Sequence, residues 1–422
     1  MPAPNPPVVS VWHAVIAYVL GTSFFLYAFI QRVSPSVMTE NLMRDFSINA
    51  AGIGILSSMY FYTYALMQLP VGILVDRFGP RKLMAGAALV CVTASLLFAS
   101  SNSLFTASLS RAFIGAAVAF PFVCTLAIAS TFFSATRFAM LTGVLMAVGM
   151  IGAIAGQAPL RMLIEYSSWR TTFVLMAAAA LVLSGMLFVL VPRRPDQSVA
   201  DKPTAILTGF KAVCRNPQSW WSAGVGFGLT TVMLGFSGLW AVPWLVSTRS
   251  FSATQAGAVS STLFLGVMIG GPIIGWFSDA LGKRKPIILT GSIACLVSIT
   301  LIVYGGLHSA TLLSILFLVY GLSAGSMVVC FGLVREWNRP EHNATALGLV
   351  NMCVVGSGAL MQPLIGWLLD YSWSGMLVNG ARIYNESSYN LAFSTLIATT
   401  VFALVCALLV KETNCSPQLS DQ

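Results

Sequence analysis

Charge is what this sequence has little of. Asp, Glu, Lys and Arg make up 8% of its 422 residues, against about 25% in a typical soluble domain. A water-facing surface cannot be built from so few charges. With 57% hydrophobic residues, most of the chain must face lipid or other apolar helices. Enzyme fingerprints are missing too: there is no phosphate loop, no HExxH and no dinucleotide-binding pattern. The eight cysteines (Cys91, Cys124, Cys214, Cys295, Cys330, Cys353, Cys406, Cys415) lie mostly inside apolar runs, without a CxxC or a loop pair. That argues against a disulfide framework and a zinc site, and no cofactor or metal is expected. Residues Met1 to Ser10 carry no Lys or Arg, so they do not form a signal-peptide n-region; the first apolar run reads as an uncleaved helix. The net charge of +9 does not point to nucleic acid, because the basic residues sit in short clusters between apolar runs.

What is there is a series of long apolar runs. They fall at 12–38, 51–75, 81–100, 103–130, 138–164 and 170–191, then at 219–246, 254–278, 286–306, 310–334, 344–369 and 389–410. Each is about long enough to cross a bilayer, and in hydrocarbon each must be helical to satisfy its own backbone. The expected fold is therefore an all-α membrane protein of twelve transmembrane helices in two six-helix bundles. The expected organisation is an N-terminal bundle 1–191, a polar linker 192–218, a C-terminal bundle 219–411 and a tail 412–422. With the N-terminus inside, fifteen Lys and Arg fall on the inner side and five on the outer. This bias predicts cytoplasmic termini, with the chain a monomer in a bacterial inner membrane. Its partners would be a small-molecule solute and the lipid bilayer.

Acids are missing from the middle of the membrane. All thirteen, from Glu40 to Asp421, fall at run ends, loops or tails, and His13, His308 and His342 lie near interfaces. Proton-driven carriers commonly place an acid in mid-membrane. Its absence leans toward facilitated diffusion or exchange, with symport through a protonated substrate left open.

Two stretches repeat. Gly72, Asp76, Gly79, Arg81 and Lys82 recur as Gly275, Asp279, Gly282, Arg284 and Lys285 at an offset of 203, and Gly143 to Gln157 matches Gly348 to Gln362 at an offset of 205. Each half is one structural repeat, and carriers of this design bind substrate between repeats near the midplane.

These residues resemble the major facilitator superfamily. The Gly72–Lys82 stretch with its copy resembles that family's signature loop, Arg111-Ala-Phe-Ile-Gly115 its second motif, and Gly149 to Gly156 its third without the usual Pro. The resemblance implies alternating access around a cavity lined by spans one, four, seven and ten. Asp76 with Arg77 and Arg81, and Asp279 with Arg284, then read either as latches on helix N-termini of the facing bundle or as solvated charges that set topology.

Arg32 is the most informative single residue. It lies deep in span one, in Tyr27-Ala-Phe-Ile-Gln31-Arg32-Val-Ser-Pro35. Charge at that depth either faces a cavity and does a job or snorkels to the interface. The resemblance favours the first: organic-anion carriers and phagosomal-transporter-like branches of the family are similar in span one. Organophosphate antiporters carry a second Arg in span seven and a Lys in span two, where this chain has no base and Gln68. One guanidinium fork suits one carboxylate. Arg111 reads as a coupling residue or as a structural hydrogen-bond donor. Further cavity candidates are Tyr27, Gln31, Tyr60, Tyr64, Gln68, Trp240, Trp244 and Tyr320, with the amides Gln157, Asn351 and Gln362. For the aromatics, helix packing is an equal alternative. Gly321-Leu-Ser323-Ala-Gly325 matches GxSxG, but inside an apolar helix such spacing serves close packing. The expected function is alternating-access transport of a small carboxylate-bearing metabolite. Efflux of drugs or siderophores, and a sensor without flux, are the alternatives.

Overall fold

A computed structural model describes residues 11–192, 211–378 and 380–418. It contains twelve helical spans: α1 (Val11–Val37), α2 (Ala50–Gln68, helical on to Phe78), α3 (Pro80–Ala99), α4 (Leu104–Phe132), α5 (Met140–Tyr166), α6 (Trp169–Leu190), α7 (Pro217–Arg249), α8 (Ala253–Leu281), α9 (Lys285–Tyr304), α10 (Ala310–Glu336), α11 (Thr345–Tyr371) and α12 (Glu386–Leu409). All twelve apolar runs are thus helices. Most of the expected linker lies outside the described residues, and α7 begins at Pro217.

Local chemistry marks the helix ends. The first and last described residues lie on one side of the molecule, the termini side. Every span that starts on the far side is capped by a Ser or Asn: Asn49, Ser103, Ser168, Ser252, Ser309 and Asn385 each accept a backbone N–H of the first turn. Such caps satisfy donors the helix leaves orphaned. On the termini side α3 and α9 instead open with Pro80 and Pro286, which fit a first turn at no hydrogen-bond cost. Gly79 (φ 75°) and Gly282 (φ 66°), repeat partners, turn the chain out of α2 and α8.

Some spans are not single rods. Span α4 breaks after Ala117 and restarts at Phe120, and α10 breaks after Ala324 and restarts at Met327. Span α7 carries a π-helical segment, Val232–Trp240. Within each half, glycines let backbones touch. A side chain at Gly115 of α4 would collide with Tyr60 O of α2, and one at Gly321 of α10 with Leu263 O of α8. The GxSxG match is thus a helix-packing site, and Ser323 Oγ donates to Val319 O of its own helix at 2.8 Å.

The halves meet toward the far side. There α2 packs on α11 and α5 on α8, whereas Phe120–Phe132 of α4 and Met327–Glu336 of α10 pack chiefly within their own halves. Gly143 and Gly348, repeat partners nearer the termini side, face open space. The strongest contacts between the halves thus lie on the far side.

The C-terminal tail is tied down. Glu412 accepts from the backbone N–H of Arg284 (2.9 Å) and Lys285 (2.8 Å) at the start of α9. Burial disfavours its charge, but these and the neighbouring backbone N–H groups outweigh burial and hold the carboxyl below its usual range. A depressed carboxylate pKa stabilises the fold above the unfolded value and loses that effect as pH falls through the folded one. The melting temperature should therefore exceed that of Glu412→Gln near neutrality, with the gap closing as pH falls below about 4.5. A gap independent of pH would contradict this assignment.

Candidate solute-binding site

Arg32 projects from α1 into a set of rings and is 6% exposed. Its guanidinium carbon stands 4.2 Å from the Phe29 ring centroid, 5.2 Å from Tyr64 and 5.7 Å from Tyr60. Phe29 lies one turn earlier on the same helix face, and Tyr60 and Tyr64 stack on α2 with planes 8° apart. Each contact is a cation over a π face. Arg32 Nε donates to Tyr60 Oη at a long 3.4 Å, and that hydroxyl donates to Ala28 O at 3.0 Å. The Tyr64 hydroxyl also lies within reach of the guanidinium, and no carboxylate among the described residues pairs with Arg32. The side chain is folded onto the rings rather than stretched toward the helix end.

Arg111 of α4 stands behind this group, fully buried. Its carbon is 5.0 Å from the Tyr60 centroid, and Nη1 donates to Gln31 O at 2.8 Å. Its Nε and Nη2 find no hydrogen-bond partner among the described residues. Tyr60 therefore separates two buried cations.

The other sequence candidates do not all converge here. Gln31 Nε2 donates to Tyr27 Oη (2.7 Å) and to Ser95 Oγ of α3 (3.1 Å), so Tyr27 and Gln31 face the interior of the N-terminal half. Tyr320 is fully buried in the other half and donates to Leu229 O at 3.1 Å. Trp240 Nε1 donates to Gln362 O at 3.0 Å, and Trp244 packs on Phe236 and Phe393. Gln68 and Asn351 do meet across the halves, Asn351 Nδ2 donating to Gln68 Oε1 at 3.3 Å. Gln157 crosses as well, donating to Ser237 O at 3.0 Å, while Gln362 donates to Leu234 O at 2.7 Å. Both amides thus serve carbonyls of the π-helical segment, whose wider turns free them from the α-helical ladder.

Of the gating candidates, Arg77, Arg81, Asp279 and Arg284 sit on the termini side within their own halves. Arg77 lies over Phe78 and Arg81 over Phe188; the Asp76 side chain is outside the described residues. Asp279 pairs with Arg284 at 2.6 Å, and Arg284 reaches Glu336 at 2.8 Å. In this conformation Asp279 therefore holds its own loop. On the far side a carboxylate of one half does meet a helix start of the other, at Asp370.

Phe29, Ser95 and Asp370 were not singled out from sequence. The spacing of Phe29 from Arg32 was readable, but nothing local marks one Phe among many in an apolar span.

Comparison with known proteins agrees with this architecture. The sequence profile of the Major Facilitator Superfamily matches residues 20–242 and again 225–419, once per half. An MFS-type efflux pump of Mycolicibacterium smegmatis is 25% identical over 81% of this chain and 81% of its own. A gentisate transporter of Corynebacterium glutamicum is 22% identical over 84% of this chain and 80% of its own. A solved bacterial homologue of the human lysosomal transporter Spinster shares the fold, with TM-score 0.74 and 16% identity over 95% of this chain and 97% of that one. With twelve apolar spans, two matched halves and transporters as relatives, this chain is an integral membrane transporter of small organic solutes rather than an enzyme, and it belongs to the Major Facilitator Superfamily.

Proposed function

We propose that the solute is a small organic anion whose carboxylate docks on the Arg32 guanidinium. The observation that carries this reading is a buried cation with no carboxylate partner among the described residues. A buried charge is costly until it is paired, and the terminal nitrogens present the fork that binds a carboxylate bidentately. The flanking rings of Phe29, Tyr60 and Tyr64 shield the site from water and strengthen that bond. The relative named for gentisate, itself a carboxylate, supports the same chemistry. The mechanism is alternating access, by facilitated diffusion, exchange or symport. The positive-inside bias argues for a cytoplasmic termini side, which makes the far side, where the halves meet, the outer one. Efflux is the second reading, favoured by the relative named as an efflux pump.

Reconstituted protein in liposomes, preloaded with unlabelled solute and offered labelled benzoates, aliphatic acids and amino acids, tests this. Saturable counterflow of a carboxylate is expected, and its neutral amide or ester should not move. Transport of hydrophobic cations without any carboxylate would support the efflux reading, and ligand binding without flux would support a sensor.

A further inference from the structure

The far side of the molecule is held by two acids that are repeat partners. Glu165 and Asp370 lie 205 residues apart, each followed by Tyr and Ser. Each faces the start of a helix in the other half: Glu165 faces Thr254 at the start of α8, and Asp370 faces Ala50 and Ala51 at the start of α2. Positions 51 and 254 are themselves repeat partners at the offset of 203. The helix packing beneath is duplicated too. A Cβ on Gly54 of α2 would stand 2.6 Å from Gln362 O and from Pro363 Cα of α11, and one on Gly257 of α8 would stand 2.9 Å from Ala158 N of α5.

The two contacts are unequal. Asp370 accepts from Ala51 N at 2.8 Å, from Ala50 N at 3.3 Å, from Tyr384 Oη at 2.6 Å and from Arg382 Nη1 at 3.2 Å, and its side chain is 12% exposed. Tyr384 Oη also accepts from Ala50 N at 3.1 Å. Burial and the neighbouring carboxylate push the Tyr384 phenol up, so it stays a donor. Arg382 ends the second strand of the Leu377–Val378 and Ala381–Arg382 hairpin, and Tyr384 follows two residues later. Glu165 has one contact across the halves, from Thr254 Oγ1 at 3.2 Å; Arg161 of its own helix takes its other oxygen at 2.8 Å, and it is 46% exposed.

The cause of the inequality is one turn earlier. Gly366 of α11 brings that helix against the backbone of Ala50, which places Asp370 within reach of two N–H groups at the positive end of the helix. The repeat partner of Gly366 is Arg161, whose bulk precludes the same approach and whose charge engages Glu165 locally.

We propose that Asp370 and Glu165 are positioning residues of the transport cycle, an unequal pair of latches that keeps the far side shut, with Asp370 the strong one. This rests on the transporter fold and not on the identity of the solute. Opening the far side requires Asp370 to leave the α2 N-terminus, while the Glu165 contact yields readily.

Ser57 and Ser260, repeat partners in α2 and α8, are both fully buried and can be replaced by Cys at almost equal volume. A membrane-impermeant maleimide applied to the far side reads opening at each seam. Asp370→Asn should raise labelling of Ser57→Cys about tenfold, because it removes charge-assisted bonds that only the closed state makes. It should also lower labelling of the native Cys353 from the termini side, which a merely loosened fold would raise. Glu165→Gln should change labelling of Ser260→Cys by less than about twofold. Unchanged labelling of Ser57→Cys in Asp370→Asn, a rise at both faces, or an equal effect of Glu165→Gln would overturn the proposal. Should Asp370→Asn not fold, Tyr384→Phe decides: it removes one donor to Asp370 and must shift labelling in the same direction, and no shift would count against the latch.

Discussion

Arg32→Ala is expected to lower carboxylate transport roughly 30- to 3,000-fold, the equivalent of about 2–5 kcal/mol for truncating one partner of a buried charge pair. The same variant should melt no lower than the parent. Arg32 is buried without a carboxylate among the described residues, so removing it relieves an unpaired charge while giving up the contacts with three rings. Loss of transport with retained stability is the mark of a residue kept for its ligand. Arg32→Lys should fall in between, losing about tenfold, because it keeps the charge but not the planar fork. Counterflow in proteoliposomes and melting in detergent give the two readings. Transport unchanged in Arg32→Ala would remove the anion anchor, and a large drop in melting temperature would assign Arg32 a structural role.

Gly321→Val should be the most damaging change in the C-terminal half. Its Cβ would collide with Leu263 O, where α10 crosses α8. Backbone cannot yield as a side-chain tip can, so a cost of about 3 kcal/mol or more is expected. Ser323→Ala, two residues away, removes a hydroxyl bonded only within its own helix and should stay within about 0.5 kcal/mol. Size-exclusion profiles and melting curves separate the two. An equal effect of both would contradict the packing account of this glycine-serine-glycine stretch.

The twelve spans were legible because lipid leaves an apolar run of that length one choice of backbone. The two halves were legible because the Gly72 and Gly275 loops, and the Gly143 and Gly348 runs, recur at nearly one offset. Arg32 announced itself by cost alone. Its neighbours did not: Tyr27 and Gln31 look equivalent to it in sequence, yet they turn toward Ser95 while Arg32 turns toward Tyr60. One position on a helix is a rotation of 100°, and an all-round apolar span gives no amphipathic stripe to fix that rotation. The π-helical segment of α7 was equally hidden, since its carbonyls are served by Gln157 and Gln362 from distant spans. The far-side latch escaped notice because an acid at a span end looks like any solvated charge until the partner helix is in place.

The buried arginines have an electrical consequence. Arg32 and Arg111 both lie in the N-terminal half, with no acid of the described residues beside them. On the proposed reading, a monoanion held by Arg32 would travel with its countercharge, so the loaded step would move less net charge than the empty one. The empty site keeps its full positive charge as it reorients. Moving one charge through the whole field works against about 2.3 kcal/mol per 100 mV. An inside-negative potential would then hold the unloaded carrier with its site facing the cytoplasm, and exchange of one anion for another would outrun net flow.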